Sequence, residues 1–244
     1  MQYLVLSNLK AGQHSTILGY AWWVLDPLLL MAVYFVLIEV IFDRGVEHYP
    51  VFVLSAILPW KWFSTSIQGS IGALVGRERL IKQVAFPKVV LPISQTVANL
   101  VSFGFGLLVL LALVLFYRIE ITWTLVIIPV VVLGQLMLTL GLAMLLSALS
   151  VFFRDIRNLL RYVLRLCFYL SPGLYPITMV PDDLLDIYRL NPYARIFPAY
   201  RDSVMFGSWT AAEDLVWILG VGAVVLAAGY AVFQWAEPRF AKVL

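Results

Sequence analysis

The chain has 244 residues, 62% of them hydrophobic and 13% charged, with a net charge of +3 and a mean hydropathy of +0.93. Soluble domains carry about 25% charged residues, so this composition excludes a soluble fold and specifies an all-α integral membrane protein. A single cysteine, Cys167, lies inside an apolar run, which excludes an intrachain disulfide and argues against a cysteine-based metal site.

Met1 to Lys10 is too mixed to be a short cleavable signal. Gln2 to Lys10 instead reads as an amphipathic helix lying in the interface, within an interfacial segment covering residues 1–26. Trp22 and Trp23 suit the headgroup layer. Asp26-Pro27 then has the form of a helix start, with Asp as N-cap and Pro at the first helical position. A bilayer span needs about 20 mostly apolar residues, and six candidates follow. They are Pro27 to Phe42, Val51 to Val75, Val89 to Tyr117, Ile121 to Phe153, Tyr162 to about Leu174, and Leu215 to Trp235. The second carries polar interruptions at Lys61, Ser64, Thr65 and Gln68, and its Trp60-Lys61-Trp62 cluster reads as interfacial anchoring. Glu39, near the end of the first span, is expected to reach the outer interface.

Lys and Arg accumulate on the cytoplasmic side of membrane proteins. With six spans, one face collects Lys10, Arg77, Arg79, Lys82, Lys88, Arg154, Arg157, Arg161, Arg165, Arg239 and Lys242. The opposite face takes most of the acids, so both termini are expected in the cytoplasm. The basic excess is a topology signal and carries no nucleic-acid inference. Residues 76–88 are too polar to be membrane. Gly76 to Gln83 has the helix formers for a short amphipathic helix, stopped before Phe86-Pro87-Lys88. On the residues alone it fits either anchoring to acidic lipid or a handle for a cytoplasmic partner. Arg154, Arg157, Arg161 and Arg165 form one stripe along a helix, which fits a snorkelling helix end or a contact for an anionic headgroup.

The stretch from Leu160 to Gly207 is the most informative. An apolar run ends in Ser171-Pro172-Gly173, and a second proline-marked piece runs from Tyr175 to Pro181. Acids follow at Asp182, Asp183 and Asp186, then Asn191-Pro192 and a short aromatic segment. Backbone that leaves the helix at membrane depth must be buried in protein or line a watery cavity. Residues 175–207 are therefore expected to form short re-entrant or interfacial helices beside a translocation path. The three acids fit solvated loop charge better than a cation site. Sugar rings have apolar faces that slide over aromatic side chains. Tyr34, Phe35, Phe168, Tyr169 and Tyr175 are the candidates for such a path, with ordinary packing as the competing reading. His14 and His48 sit outside the spans, and neither HExxH nor GxSxG occurs, so no catalytic or metal site is expected.

Three patches carry a family resemblance. They are Ser15-Thr16-Ile17-Leu18-Gly19-Tyr20-Ala21-Trp22 with Pro27; Leu80-Ile81-Lys82 through Phe86-Pro87 and Leu91-Pro92; and Leu170-Ser171-Pro172, Tyr175-Pro176, Leu190-Asn191-Pro192 and Tyr200-Arg201. In their order and spacing the chain resembles the permease subunit of type 2 ABC exporters of lipid-linked polysaccharides (O-antigen, capsule or wall teichoic acid). It departs from that pattern at Lys10-Ala11-Gly12-Gln13-His14, where the family often has a basic, tyrosine-containing run. The resemblance implies a single transmembrane domain over residues 1–244, two copies of which form a channel docked on two cytoplasmic ATPase subunits. It makes Arg77, Glu78, Arg79 and Lys82 the ATPase-coupling residues. Pro172, Pro181, Asn191, Pro192, Tyr193 and Arg201 become a re-entrant gate. No GxxxxGK[ST] is present, so ATP and Mg belong to the partner and this chain carries no cofactor. An exporter of drugs or small lipids shares the same architecture, and an ATPase-independent channel or ion-coupled transporter is the more distant alternative.

Overall fold

The computed structural model describes residues 5, 19–43, 45–83, 86–153 and 155–243. The expected interfacial helix at Gln2 to Lys10 lies outside them, apart from Val5, as do Ser15 to Leu18, Arg154 and the side chains of Glu78 and Arg79. The described residues are mainly helical, joined by turns and short loops, with no strand among them.

Helix α1 (Trp22–Tyr34) continues as a wider π-helical stretch, Phe35–Ile41. It begins five residues before the expected start, so Pro27 lies within the helix and Asp26 caps nothing. Proline lacks the N–H that would bond the carbonyl four residues back, and Pro27 is buried against the bundle. Asp26 serves another purpose, pairing with Lys61 at 2.5 Å. Glu39 lies near the outer end of the same helix. It is half-buried, with Oε2 shielded from solvent, and its side chain packs where Gly45 has no Cβ.

Helix α2 (Tyr49–Val75) is the centre of the molecule. Val51 through Leu58 are all buried, as are Trp62, Phe63, Ile67 and Ile71. Its buried serines cost little, because they bond carbonyls nearby: Ser55 to Phe52 O at 2.7 Å and Ser70 to Ser66 O at 2.7 Å. The Trp60-Lys61-Trp62 cluster is not an interfacial anchor. Trp62 is 2% exposed, stacks on Phe103 at 5.0 Å, and donates Nε1–H to Thr96 O at 3.3 Å. Tryptophan is amphipathic, and here a buried carbonyl satisfies the indole as headgroup water would.

A six-residue helix α3 (Glu78–Gln83) precedes α4 (Val90–Phe116). Helix α5 (Ile128–Phe152) is led in by a 3₁₀ turn, Trp123–Ile127. Helix α6 (Ile156–Tyr169) begins six residues before the expected fifth span and ends five before its limit. Two short helices follow, α7 (Asp182–Tyr188) and α8 (Tyr193–Arg201), the second extended by a π turn, Asp202–Phe206. Helix α9 (Ala212–Ala236) leads through a 3₁₀ turn, Glu237–Arg239, into α10 (Phe240–Val243).

Two clusters fix how the ends align. Leu74, Ile81, Leu91, Val151, Phe233 and Phe240 bury one another, so α2 ends, α4 begins, and α5 and α9 end at one pole. At the other pole His48 meets Tyr117 at 5.3 Å, and Thr124 Oγ1 donates to Ser203 O at 3.1 Å. The first pole carries Arg77, Lys82, Lys88 and Arg239 and is basic. The second bears the proline-bounded helices and most of the acids.

Among the described residues, four stretches are long and apolar enough to cross a membrane: Trp22–Ile41, Val90–Phe116, Trp123–Phe152 and Ala212–Arg239. Helix α2 falls short in composition because it faces protein and a groove rather than lipid. Helix α6, at 14 residues, is only about 21 Å long. The tightest contact in the bundle is α5 on α9. A Cβ on Gly229 would lie 2.1 Å from Gly141 O, and one on Gly141 would lie 2.4 Å from Val225 O. The two backbones therefore touch, the close approach that small residues permit between membrane helices.

Candidate functional site

Between α1, α2 and α6 lies an open groove of about 540 Å³. Its walls are Tyr34 and Leu30 from α1, Trp60, Lys61, Ser64, Thr65 and Gln68 from α2, and Arg161, Arg165, Phe168 and Tyr169 from α6. A second cavity, about 390 Å³, shares Gln68 and Arg161 and extends along Gly72 and Arg157 toward the basic pole. The groove is thus graded. Aromatic rings line the half nearer the acidic pole, and arginines line the half nearer the basic pole.

Helical spacing builds this gradient. Lys61, Thr65 and Gln68 fall at i, i+4 and i+7 on α2 and share a face, as do Arg157, Arg161 and Arg165 on α6. Opposite Lys61 stands Asp26, whose 2.5 Å ion pair ties α1 to α2 across the groove. Arg161 is oriented by Asn158, whose Oδ1 accepts from it at 2.9 Å. The aromatic half is held by ring contacts. Trp60 meets Phe168 at 5.5 Å and Tyr193 at 4.8 Å, and the Tyr34 hydroxyl donates to that of Tyr169 at 3.4 Å.

Of the five aromatic residues expected along a path, Tyr34, Phe168 and Tyr169 line the groove. Phe35 packs against the hydrophobic core. Tyr175 sits past the end of α6, bonding Tyr169 O at 3.2 Å and the Tyr188 hydroxyl at 2.8 Å. Trp60, Lys61, Ser64, Thr65 and Gln68 were not expected there. Their spacing is the signal that marks them, since an interrupted span with its polar residues on one helical face is a groove wall.

At the acidic pole the groove is roofed by the segment after α6. Arg201 is its tie. The guanidinium is 2% exposed and donates to Phe52 O (3.2 Å), Pro172 O (2.5 Å) and Gly173 O (2.7 Å). It also lies 3.5 Å from the centre of the Phe52 ring. Burial pushes its pKa down to about 9, which leaves it charged at neutral pH. Asn191 Nδ2 donates to Ser171 Oγ at 2.8 Å, and Asn191 Oδ1 accepts from the Tyr193 N–H at 3.0 Å. Buried Gln135 joins the roof to α5 and α2, donating to Pro59 O at 2.8 Å and accepting from the Tyr200 hydroxyl at 3.0 Å. Pro181 and Pro192 stand immediately before α7 and α8, where a missing N–H costs nothing. Pro172, Asn191, Tyr193 and Arg201 thus converge on one junction, while Pro181 marks the outer helix. Asp182, Asp183 and Asp186 on α7 are exposed, and no group of three potential metal ligands occurs among the described residues.

At the basic pole Ile81 of α3 is 4% exposed, while Lys82 and Gln83 are exposed.

Long apolar helices around a buried, partly polar one, with a graded lateral groove roofed at one pole, define a membrane-embedded permease. The chain belongs to the ABC-2 type transporter family, whose membrane-domain model matches residues 8–206. Among its relatives is the O-antigen export system permease protein RfbA of Myxococcus xanthus, 36% identical over 98% of this chain and 93% of the relative. A protein of the same name from Klebsiella pneumoniae is 29% identical over 99% of this chain and 94% of its own length. The polysialic acid transport protein KpsM of Escherichia coli is 22% identical over 97% and 93%.

Proposed function

We propose that this chain is the channel-forming subunit of an ATP-driven exporter that moves a lipid-linked polysaccharide of the O-antigen or capsule class out of the cytoplasm across the bacterial plasma membrane. The graded groove is the observation that carries the reading. Its aromatic half offers flat apolar surfaces to sugar rings without fixing them, and its arginine half suits an anionic linkage between glycan and lipid. O-antigen is favoured over teichoic acid because it is named for the relatives at 36% and 29% identity.

In this reading α2 and α6 cross the membrane with the four apolar helices, giving six spans with both termini in the cytoplasm. Helix α6 crosses despite its length because Leu170 to Leu174 and the roof complete its outer end. Helices α7 and α8 are the re-entrant gate, with Arg201 as its fixed point. A groove open along one side is half of a channel, and a second copy of the chain supplies the other half. Helix α3, with Arg77, Glu78, Arg79 and Lys82, docks on one of two cytoplasmic ABC ATPase subunits, which hold ATP and Mg.

The test uses cells lacking this gene and expressing either the wild-type chain or the pair Arg161→Glu with Arg165→Glu. Wild type is expected to restore glycan at the cell surface. The double variant is expected to reach the membrane, bind the ATPase, and leave lipid-linked glycan inside. Normal surface glycan with both charges reversed would overturn the assignment of the groove. Normal glycan in cells with no copy of the gene would overturn the exporter reading itself.

A further inference from the structure

The C-terminal residues do more than end the last helix. After α9 the chain continues through the 3₁₀ turn Glu237–Arg239, placing Phe240 in the cluster that also holds Ile81 of α3. Phe240 is fully buried. Its ring stands edge-on to Phe233 at 5.4 Å and lies 6.4 Å from Phe152 of α5. Arg239 covers the Trp235 ring at 3.9 Å, holding the turn on the helix that precedes it. Glu237 meanwhile reaches Lys88, just ahead of α4. Its Oε1 accepts the Lys88 N–H at 2.8 Å and stands 3.7 Å from Lys88 Nζ. Both side chains are mostly shielded, at 17% and 16% exposure, so screening by solvent takes less from this pair than from a surface ion pair. Helix α3 is therefore held through Ile81, and the start of α4 through Lys88, both times by residues 237–240.

These contacts all lead to one place. Residues 237–240 continue α9, and α9 is joined to α5 through the Gly141–Gly229 backbone contact. Two helices whose backbones touch cannot slide past each other without a clash, so they move as one body. Helix α6, the arginine-bearing wall of the groove, has no residue among the buried members of this cluster. A push on α3 thus reaches the α5–α9 body through this cluster, which Leu74 of α2 and Leu91 of α4 share.

We propose that Glu237 and Phe240 form a C-terminal clasp that converts displacement of α3 into movement of the α5–α9 pair, making them positioning residues for ATP-driven export. The clasp rests on the reading of α3 as the ATPase dock. Glu237→Ala removes the carboxylate and both bonds to Lys88. Glu237→Gln keeps an oxygen for the Lys88 N–H and loses only the ion pair.

The experiment uses the full chain in nanodiscs with its ATPase. Three quantities are read: complex assembly, glycan exported per ATP hydrolysed, and amide hydrogen exchange over residues 81–83 and 88–91. Glu237→Ala is expected to assemble and to hydrolyse ATP. Its exchange should be faster over those segments, and its export per ATP lower by about fivefold or more, the lower end of coupling between distinct sites. Glu237→Gln should recover most of both. Unchanged export per ATP, or unchanged exchange, in Glu237→Ala would overturn the clasp while leaving the dock intact. Failure of the wild-type chain to bind any ATPase would overturn the dock and, with it, the role of the clasp.

Discussion

Replacing Arg201 with methionine keeps the stem and removes the guanidinium, which isolates what the tie contributes. Hydrogen bonds from a charged donor are worth about 1.5–3 kcal/mol each, and Arg201 makes three, to Phe52, Pro172 and Gly173. Its position over the Phe52 ring adds about 0.5–2 kcal/mol. Against this stands the desolvation of a buried charge, several kcal/mol. The net expected for Arg201→Met is about 3–5 kcal/mol, the usual cost of removing one partner from a buried charged network. For a chain of this size each kcal/mol moves the melting point by about 2–4 °C. A fall of roughly 10 °C is therefore expected, read as loss of monodisperse protein on heating in detergent. Arg201→Lys retains the charge but not the planar fork, and should lie between the two. A melting point for Arg201→Met within about 2 °C of wild type would show that the three carbonyls find other donors, and the argument for a fixed junction would fall.

Other outcomes follow from named contacts. Gly229→Ala places a methyl against the Gly141 carbonyl at 2.1 Å and should abolish accumulation of folded protein. Gly220→Ala, with nothing within 4 Å, should leave yield unchanged or improved on the same size-exclusion profile. Gln135→Leu strands the Tyr200 hydroxyl, which is fully buried, and is expected to cost about 1–3 kcal/mol, measured by the same heating assay. Lys61→Met breaks a pair whose acid is 63% exposed. Such pairs contribute about 0–1 kcal/mol, so the melting point should scarcely change while export, measured as surface glycan, falls.

Much of the bundle was legible in the chain because lipid enforces a simple rule. Val90–Phe116, Trp123–Phe152 with its 3₁₀ lead-in, and Ala212–Ala236 match their expected spans closely, since each meets lipid along one side and must be apolar over a bilayer's thickness. The α3 helix and the proline-bounded roof were also legible, through helix formers and breakers that act locally. The bounds of α2 were legible as well, Tyr49–Val75 against the expected Val51 to Val75, but its groove face was not. Its polar residues looked like interruptions because hydropathy sums over all faces, whereas Lys61, Thr65 and Gln68 occupy one. Trp60 and Trp62 were assigned to an interface on a statistical preference that their packing partners override. Asp26-Pro27 has the chemistry of a cap, yet burial of Pro27 and the ion pair to Lys61 outweigh the local signal. Phe35 and Tyr175 could not be sorted from Tyr34 and Tyr169 without knowing which face of each segment turns toward α2.

The touching backbones of α5 and α9 set an order of events during synthesis. Helix α5 is complete long before Gly229 is made, and its glycine face has no other helix to fill it. At 5–20 residues per second that interval is on the order of ten seconds, spent with exposed small residues and, nearby, the polar Gln135 awaiting the roof. The last membrane helix is thus the keystone of the bundle: a chain cut short before Ala212 would carry every residue of the groove and still lack the body against which it is built.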